Sequence, residues 1–221
     1  ALLDAIDEAE RAQLIAAAED GPAQTGARMG EARFRFAHEL IRQTLVSGLS
    51  LPRRQRLHLR VAEAMKRTYA RAPEEHAADL AHHLYQAGAA ADPEKTARYL
   101  ALAGEQAFAA TAFEDALRHY EDALSLQPPD DRKGRADLLY RHGQALRSLG
   151  RWEEALAEWR KALDAYEELG DAEAVVRVCY DAVWLLGWSD RPAEAVEVSR
   201  RGLSATEERV SADRCRLLAK I

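Results

Sequence analysis

Apolar residues recur at intervals of three and four along most of the chain, which is the spacing of amphipathic helices. In the first 71 residues this spacing predicts three helices: one at the start, one from Ala37 and one from Pro52. Turn-forming residues at 20–22 and 26–30 interrupt the pattern. The alternation in Arg33–Phe36 then predicts a strand that pairs with residues 14–18. The predicted order is therefore helix, hairpin, helix, helix.

From about residue 93 the helical pattern becomes repetitive. Three segments that start at Phe113, Trp152 and Pro192 align without a gap, at intervals of 39 and 40 residues. Small residues recur in each segment at Ala116 and Ala123, Ala155 and Ala162, and Ala195 and Gly202, with Tyr120, Trp159 or Ser199 between them. Gly104 and Gly143 occupy matching places in the preceding helices. Small residues at this spacing predict helices that cross closely, with the aromatic ring filling the gap between hairpins.

This pattern resembles the tetratricopeptide (TPR) repeat, which has a small residue, a large one four positions later and a proline at the end. Pro128 occupies the place of that proline in the first repeat. The second repeat lacks the proline, and the third departs from the pattern at Val183, Pro192 and Ser199. The resemblance implies a TPR-type α-α superhelix.

The resemblance also implies the domain bounds. Residues 93–221 are expected to hold TPR repeats at about 97–130, 136–169 and 176–209 and the start of a further helix. Residues 72–92 are expected to be a degenerate leading helix and linker.

Composition agrees with a mostly α-helical chain. Alanine and leucine dominate, only 12 Gly and 7 Pro occur, and residues that favour strands are scarce, which excludes an all-β fold. The formal net charge of −6 does not favour nucleic acid as a partner. The cysteines, Cys179 and Cys215, form no CxxC motif, and no apolar run approaches the roughly 20 residues of a membrane span. We therefore expect a cytoplasmic protein without a membrane partner.

Motifs of nucleotide-binding and hydrolytic enzymes are absent from the sequence. Neither GxxxxGK[ST] nor GxGxxG occurs, and GxSxG, HExxH and CxxC are also missing. The sequence therefore predicts a non-catalytic fragment with no cofactor of its own.

Two adjacent segments, Phe34–Leu45 and Leu51–Ala64, carry a second resemblance. They resemble the winged-helix part of the STAND class of bacterial signalling ATPases, which includes maltose-regulon activators and cyclase-linked regulators. These proteins carry an AAA-like nucleotide-binding module, a winged helix and then helical repeats. The resemblance implies a winged-helix-like module over residues 1–71. It also implies an ATPase module upstream in the same chain, where ATP or ADP would bind, and the chain is expected to be a piece of a longer protein.

One histidine follows the predicted hairpin. In the STAND class a histidine at this place approaches the phosphates of bound ADP and holds the inactive state. His38 occupies the matching position, with Arg42 one helical turn later. The resemblance thus implies nucleotide sensing by His38 and Arg42. The alternative is that His38 caps or packs at the corner between strand and helix.

Residues 33–71 contain ten Lys or Arg but only Glu39 and Glu63 as acidic residues. A winged helix with this surplus is an alternative candidate for a DNA-binding transcriptional regulator whose TPR part mediates dimerisation or interaction. The other interpretation is that the arginines face the ATPase module or the rest of the chain, because residues 72–221 carry nine more acidic than basic residues. Nucleic acid is not the expected partner.

Aromatic residues follow one face of the first helix of the third repeat. The TPR resemblance places this stripe toward the concave groove where peptides bind. The candidate ligand-binding residues, including those at corresponding places one repeat earlier, are Tyr140, Gln144, Tyr180, Trp184 and Trp188. The alternative is that the two tryptophans pack against a fourth repeat. Trp152 and Trp159 are predicted to lie between helices in the core.

A histidine-rich segment precedes the repeats. His76, Asp79 and His83 fall on one helix face, with His82 adjacent, where zinc finds up to three ligands. Because such groups on repeat helices are usually polar packing, the sequence predicts no metal site.

The residues and the two resemblances predict a non-catalytic regulatory fragment. Its TPR repeats would sense a protein or small-molecule signal, and its winged helix would pass that signal to the upstream nucleotide-binding module. A further alternative is a TPR scaffold that binds one peptide and contains no switch.

Overall fold

The computed structural model describes residues 2–17 and 34–205. Most of these residues are helical, and two short strands form one hairpin. The chain divides into two compact units, residues 1–57 and 58–221. The predicted loop at 20–30, Cys215 and the predicted helix after residue 209 lie outside the described residues. Within the described ranges, no helix is long and apolar enough to cross a lipid bilayer.

The first unit contains the elements that the sequence predicts. Helix α1 spans Leu2–Arg11, strands β1 and β2 span Ile15–Ala17 and Phe34–Phe36, and helix α2 spans Glu39–Ser47. The strands are antiparallel, with Ile15 opposite Phe36. Helix α3 follows at Leu51–Thr68. The predicted order of helix, hairpin, helix, helix is confirmed, and the assignment of this unit to the winged-helix fold stays a prediction.

Among residues 4–17 and 34–57 of the first unit, the large apolar side chains remain partly or largely exposed. Helix α2 has no buried residue. Five large apolar side chains are between 40% and 63% exposed, namely Phe34, Phe36, Leu40, Leu45 and Leu51. Several exposed large apolar side chains within one short segment are consistent with a surface that another protein segment covers.

The second unit consists of stacked helices. After the end of α3 come a short 3₁₀ helix at Pro73–His76, helix α4 and a 3₁₀ turn at Gly88–Ala90, and then three helical hairpins. The helix bounds are α4 Ala77–Ala87, α5 Pro93–Ala109, α6 Phe113–Leu126, α7 Arg132–Ser148, α8 Trp152–Leu169, α9 Ala172–Trp188 and α10 Pro192–Ser204. The hairpins α5/α6, α7/α8 and α9/α10 are the three predicted repeats, which form a TPR-like fold.

An aspartate starts the first helix of each hairpin. The side chains of Asp92, Asp131 and Asp171 each accept a hydrogen bond from the backbone N–H three residues later. A carboxylate at this place satisfies a backbone donor that has no partner within the helix, and it also interacts favourably with the positive end of the helix. The three caps therefore fix where α5, α7 and α9 begin.

The division between the units lies inside α3, whereas the sequence predicts a boundary at residue 71. The reason is packing. Ala62 on α3 is fully buried and forms one apolar cluster with Leu80 and Leu84 of α4 and with Ala87. The second half of α3 therefore belongs to the helical stack, where it precedes α4.

In each of the first two hairpins, a glycine on the first helix lies in close contact with an aromatic ring on the second helix. A Cβ added to Gly104 would overlap the ring of Tyr120, and one added to Gly143 would overlap the indole of Trp159. Both rings are buried, at 2% and 1% exposure. The helices do approach closely at small residues, but the ring fills the space above a glycine of its own hairpin, whereas the sequence pattern predicted a ring between hairpins.

The third repeat exchanges the sizes of the two partners. Val183 and Ser199 occupy the places that Gly143 and Trp159 have one repeat earlier, and both are buried. Compared with the second repeat, the third has a larger side chain on its first helix and a smaller one on its second helix. The added side chain at Val183 offsets part of the volume lost at Ser199, so the two departures are consistent with the same fold.

One prediction about the core is wrong. Trp159 is buried as expected, but Trp152 is 41% exposed. Trp152 is the first residue of α8 and therefore lies at the end of the hairpin.

We expect Gly143→Ala to lower the free energy of unfolding by about 1–3 kcal/mol, because the new Cβ overlaps Trp159 in a filled core. The matched control is Gly187→Ala, since Gly187 lies in α9 and an added Cβ there meets no atom within 4 Å. The control should leave stability unchanged or raise it by up to about 1 kcal/mol. Urea unfolding followed by circular dichroism measures both, and equal effects would contradict the explanation.

A second pair of variants tests the exchange of sizes. Gly143→Val combined with Trp159→Ser copies the arrangement of Val183 and Ser199. We expect the double variant to lose less stability than the two single variants lose together. Serine at position 159 removes the clash with the new valine, and the valine fills part of the cavity that the serine leaves.

Candidate functional site

A hydrogen-bonded group joins the first helices of the second and third repeats. The hydroxyl of Tyr140 on α7 donates to Asp181 Oδ2 on α9 at 2.6 Å and accepts from Gln144 Nε2 at 3.0 Å. Arg147 donates to the other oxygen, Asp181 Oδ1, at 3.3 Å. The carboxylate of Asp181 thus accepts from two donors on α7 and fixes that helix to α9.

Tyr140 is the buried centre of this group. Its side chain is 8% exposed, and its backbone carbonyl accepts from Trp159 Nε1 at 3.0 Å. Burial, together with the negative charge of Asp181, raises the pKa of Tyr140 far above its ordinary value. The phenol therefore stays protonated and remains a hydrogen-bond donor.

Two arginines lie against the aromatic rings around this group. The guanidinium of Arg147 is 5.8 Å from the ring centroid of Trp159 and 5.9 Å from that of Trp184. Arg177 lies over the ring of Tyr140 at 5.2 Å. These distances are in the range of cation–π attraction. Arg147 therefore links the buried group to the surface at Trp184.

Two tryptophans at the end of α9 form an exposed pair, called here the aromatic pair. Trp184 is 40% exposed and Trp188 is 69% exposed, and their ring centroids are 5.8 Å apart. Tyr180, one turn earlier on α9, is half-buried. Large exposed aromatic side chains supported from below are typical of a surface that binds an apolar side chain of a partner.

The structure brings together only part of the predicted ligand-binding group. Tyr140 and Gln144 share a hydrogen bond, but Tyr140 lies below the surface and supports it. Asp181, Arg147 and Arg177 of this group were not predicted from the sequence. The available signal was Asp181, a carboxylate within α9, whose other residues from Ala174 to Leu186 are mostly apolar and buried.

A polar cavity lies between the first helices of the first and second repeats. It has a volume of about 470 Å³ and is lined by both acidic and basic residues of α5 and α7. Arg141 of α7 makes an ion pair with Glu105 of α5, and Asp137 accepts from the hydroxyl of Tyr166 at 2.5 Å. The surface formed by α5, α7 and α9, called here the first-helix face, thus changes from charged at α5 to aromatic at the end of α9.

The predicted nucleotide-sensing residues lie at the start of α2. His38 is the N-cap of that helix, and its Nδ1 accepts from the backbone N–H of Leu40 at 3.2 Å. Arg42 makes an ion pair and several hydrogen bonds with Glu39. His38 therefore has the capping role of the alternative interpretation, and nucleotide sensing stays a prediction.

The histidines group differently from the sequence pattern. His76 stacks on Tyr69, with ring centroids 3.7 Å apart. His83 instead lies beside His58 of α3 and His82, and the ligand atoms of these three side chains are all within 4.8 Å of one another. Burial, and then the neighbouring His82, lower the pKa of His83. Sequence analysis missed His58, because it lies on another helix.

Comparison with known proteins supports the fold of the repeats. No family profile and no curated protein matches the sequence. Among solved structures, aspartyl phosphate phosphatase F from Bacillus subtilis is similar with a TM-score of 0.55 and 14% identity, covering 81% of this chain and 46% of the phosphatase. BtubC from P. vanneervenii is similar with a TM-score of 0.54 and 16% identity, covering 78% of this chain and 83% of BtubC.

The chain spans less than half the length of the phosphatase. At these identities the likeness concerns the fold alone, which is a TPR-like helical repeat. The winged helix and the signalling-ATPase context stay predictions.

We expect Tyr140→Phe to lower the free energy of unfolding by about 1.5–3 kcal/mol, the range for a hydrogen bond to a charged group. The variant keeps the ring but removes the donor to Asp181. Tyr180→Phe is the matched control, because no hydrogen bond of its hydroxyl occurs among the described residues, and it should change stability little. Thermal and urea unfolding measure both; similar values for the two variants would show that the group does not stabilise the repeats.

Proposed function

We propose that this chain is a non-catalytic regulatory fragment whose TPR-like repeats bind a protein segment on the first-helix face. The aromatic pair of Trp184 and Trp188 is the main contact. The observation that carries the proposal is the exposure of these two rings above the hydrogen-bonded group of Tyr140, Asp181 and Arg147.

Rigid support favours binding by the aromatic pair. A side chain that is already held in place loses little conformational freedom when a partner binds. Arg147 lies over Trp184 and is itself held by Asp181, which Tyr140 also contacts. These contacts hold the ring of Trp184 in place, so it would bind an apolar side chain of a partner with little reorganisation.

The charged part of the first-helix face favours a peptide over a small apolar molecule. The cavity between α5 and α7 presents Arg98, Lys95 and Asp92 next to the ion pair of Arg141 and Glu105. Side chains of both signs match an extended peptide, which offers backbone donors and acceptors as well as charged groups. A protein signal is therefore the form of input that we propose.

In the proposed full-length protein the first unit passes the signal to an upstream ATPase module in the same chain. Two observations support such a partner. The first is the set of exposed apolar side chains around Phe36 and Leu40. The second is that Arg53, Arg56 and Arg60 of α3 are exposed and make no ion pair among the described residues. An acidic protein surface satisfies both; DNA would satisfy only the second.

We further propose that His38 contacts the phosphates of ADP held by that module. Nδ1 of His38 is used in the capping bond to Leu40 N–H, so Nε2 is the atom that would face a phosphate. Arg42 would exchange its ion pair with Glu39 for the same phosphate. ADP would then favour the closed state, and a signal bound to the repeats would shift the population away from it.

Binding by the aromatic pair is tested with peptides selected from a random displayed library against the whole chain. We expect Trp184→Ala or Trp188→Ala to weaken the selected peptides by about 10-fold or more, the loss typical of a dominant aromatic contact. Fluorescence anisotropy of the labelled peptides gives the affinities.

Trp152→Ala is the matched control, because Trp152 is exposed to the same degree as Trp184 but begins α8. Its affinity should stay within about twofold of the parent. Peptides that lose as much affinity with Trp152→Ala as with Trp184→Ala would place binding elsewhere.

Nucleotide sensing is tested in the full-length protein with His38→Asn. Asparagine keeps an N-cap acceptor for Leu40 N–H but has no ring to reach a phosphate. We expect ADP to dissociate about 10-fold faster or more, because a charge-assisted contact is lost. Stopped-flow release of a fluorescent ADP analogue measures the rate.

His38→Ala removes both functions and serves as the comparison. If His38→Asn releases ADP at the parental rate while His38→Ala is faster, the histidine acts only as a helix cap. If both variants accelerate ADP release equally, the faster release results from loss of the nucleotide contact and not from loss of the helix cap.

A further inference from the structure

Three histidines from two helices meet at the leading end of the helical stack. His58 belongs to the second half of α3, and His82 and His83 belong to α4. Nδ1 of His58 lies 3.0 Å from Nδ1 of His83. The ring of His82 lies 5.9 Å from that of His58 and 5.2 Å from that of His83. We propose that His58, His82 and His83 form a binding site for Zn²⁺.

One pair of nitrogen atoms is spaced nearly as a zinc ion requires, and the third lies close enough to join it by a side-chain rotation. Zn–N bonds of about 2.0–2.1 Å in a tetrahedral site place ligand nitrogens about 3.3 Å apart. The pair formed by His58 and His83 is already near this separation, and all three ligand atoms are within 4.8 Å of one another. His82 is the exposed member, so its side chain is free to rotate toward the other two.

The backbone under the three rings is held by packing. His58 precedes the fully buried Ala62 by one helical turn, and His83 lies between the buried Leu80 and Leu84. These apolar residues pack α3 against α4 below the histidines. A site built on two packed helices is preorganised, because only the imidazole rings adjust when the ion binds.

Ligand chemistry selects the metal. Three imidazoles without a thiolate suit Zn²⁺ and neighbouring divalent transition metals, whereas Mg²⁺ and Ca²⁺ prefer oxygen ligands. Three protein ligands leave a fourth position for water or for a group from a partner. The cluster is thus expected to bind one Zn²⁺ per chain with an open position.

The experiment uses the whole chain without a polyhistidine tag, in a Cys215→Ser background. Isothermal titration with ZnCl₂ should show one saturable site, and Co²⁺ should give the visible absorption bands of tetrahedral coordination. His58→Gln and His83→Gln should each weaken Zn²⁺ binding by about 100-fold or more. Loss of a residue that only supports a ligand already costs up to about 100-fold, and these two histidines are ligands themselves. His82→Gln should also weaken it.

His76→Gln is the matched control, because His76 lies just before α4 but stacks on Tyr69 away from the cluster. It should bind Zn²⁺ like the parent. Circular dichroism of the metal-free variants shows whether each one folds. As a second readout, Zn²⁺ should raise the thermal midpoint of the parent and of His76→Gln but not that of His83→Gln.

Two results would overturn the site. One is the lack of saturable binding in the parent chain, whatever the variants do. The other is binding that survives both His58→Gln and His83→Gln with parental affinity. Neither result bears on the aromatic pair, because the metal site does not depend on the proposed function.

Discussion

The contact between a helix backbone and a buried ring is the constraint on which the repeats depend. Gly143 lets α7 approach the indole of Trp159 so closely that no side chain fits between them, and Gly104 does the same for Tyr120. The approach also lets Trp159 Nε1 reach the carbonyl oxygen of Tyr140 at 3.0 Å. The third repeat is packed differently, since the larger side chain, Val183, lies on the first helix and the small Ser199 on the second. The packing of each hairpin therefore fixes the position of its first helix.

Because the first helices are fixed in position, they hold the hydrogen-bonded group of Tyr140, Asp181 and Arg147 together. The phenol of Tyr140 and the carboxylate of Asp181 lie on different helices, 41 residues apart in sequence, and meet at 2.6 Å. A partly buried carboxylate that lost its donors would be costly, so this arrangement requires a rigid frame. The same frame carries Arg147 to Trp184. The chemistry of the first-helix face thus follows from the core packing below it, and the exposed rings of Trp184 and Trp188 are the surface at which we propose that a partner binds.

Sequence patterns predicted the features that repeat and missed those that join distant elements. The three hairpins follow from periodic small and aromatic residues, and the β-hairpin follows from the alternation at Phe34 and Phe36. The meeting of His58 with His83 and that of Tyr140 with Asp181 depend on how two helices face each other, which no local spacing contains. Trp152 shows a related error, because a position at a helix start is exposed even where its residue type favours burial. The boundary inside α3 was hidden because the helical pattern continues through it.

The histidine cluster lies on α3 and α4 and the aromatic pair on α9, in a stack whose described elements contact mainly their neighbours. Stability in such a stack is close to a sum of local terms. An ion bound by His58 and His83 would tie α3 to α4, and its effect would pass on through Tyr99 of α5, which packs against both the leading apolar cluster and the main core. Lys66 of α3 lies over the same ring at 4.9 Å. Tyr99 and the buried Ala81 of α4, which belongs to the main core, are therefore residues through which the leading end packs against the first repeat.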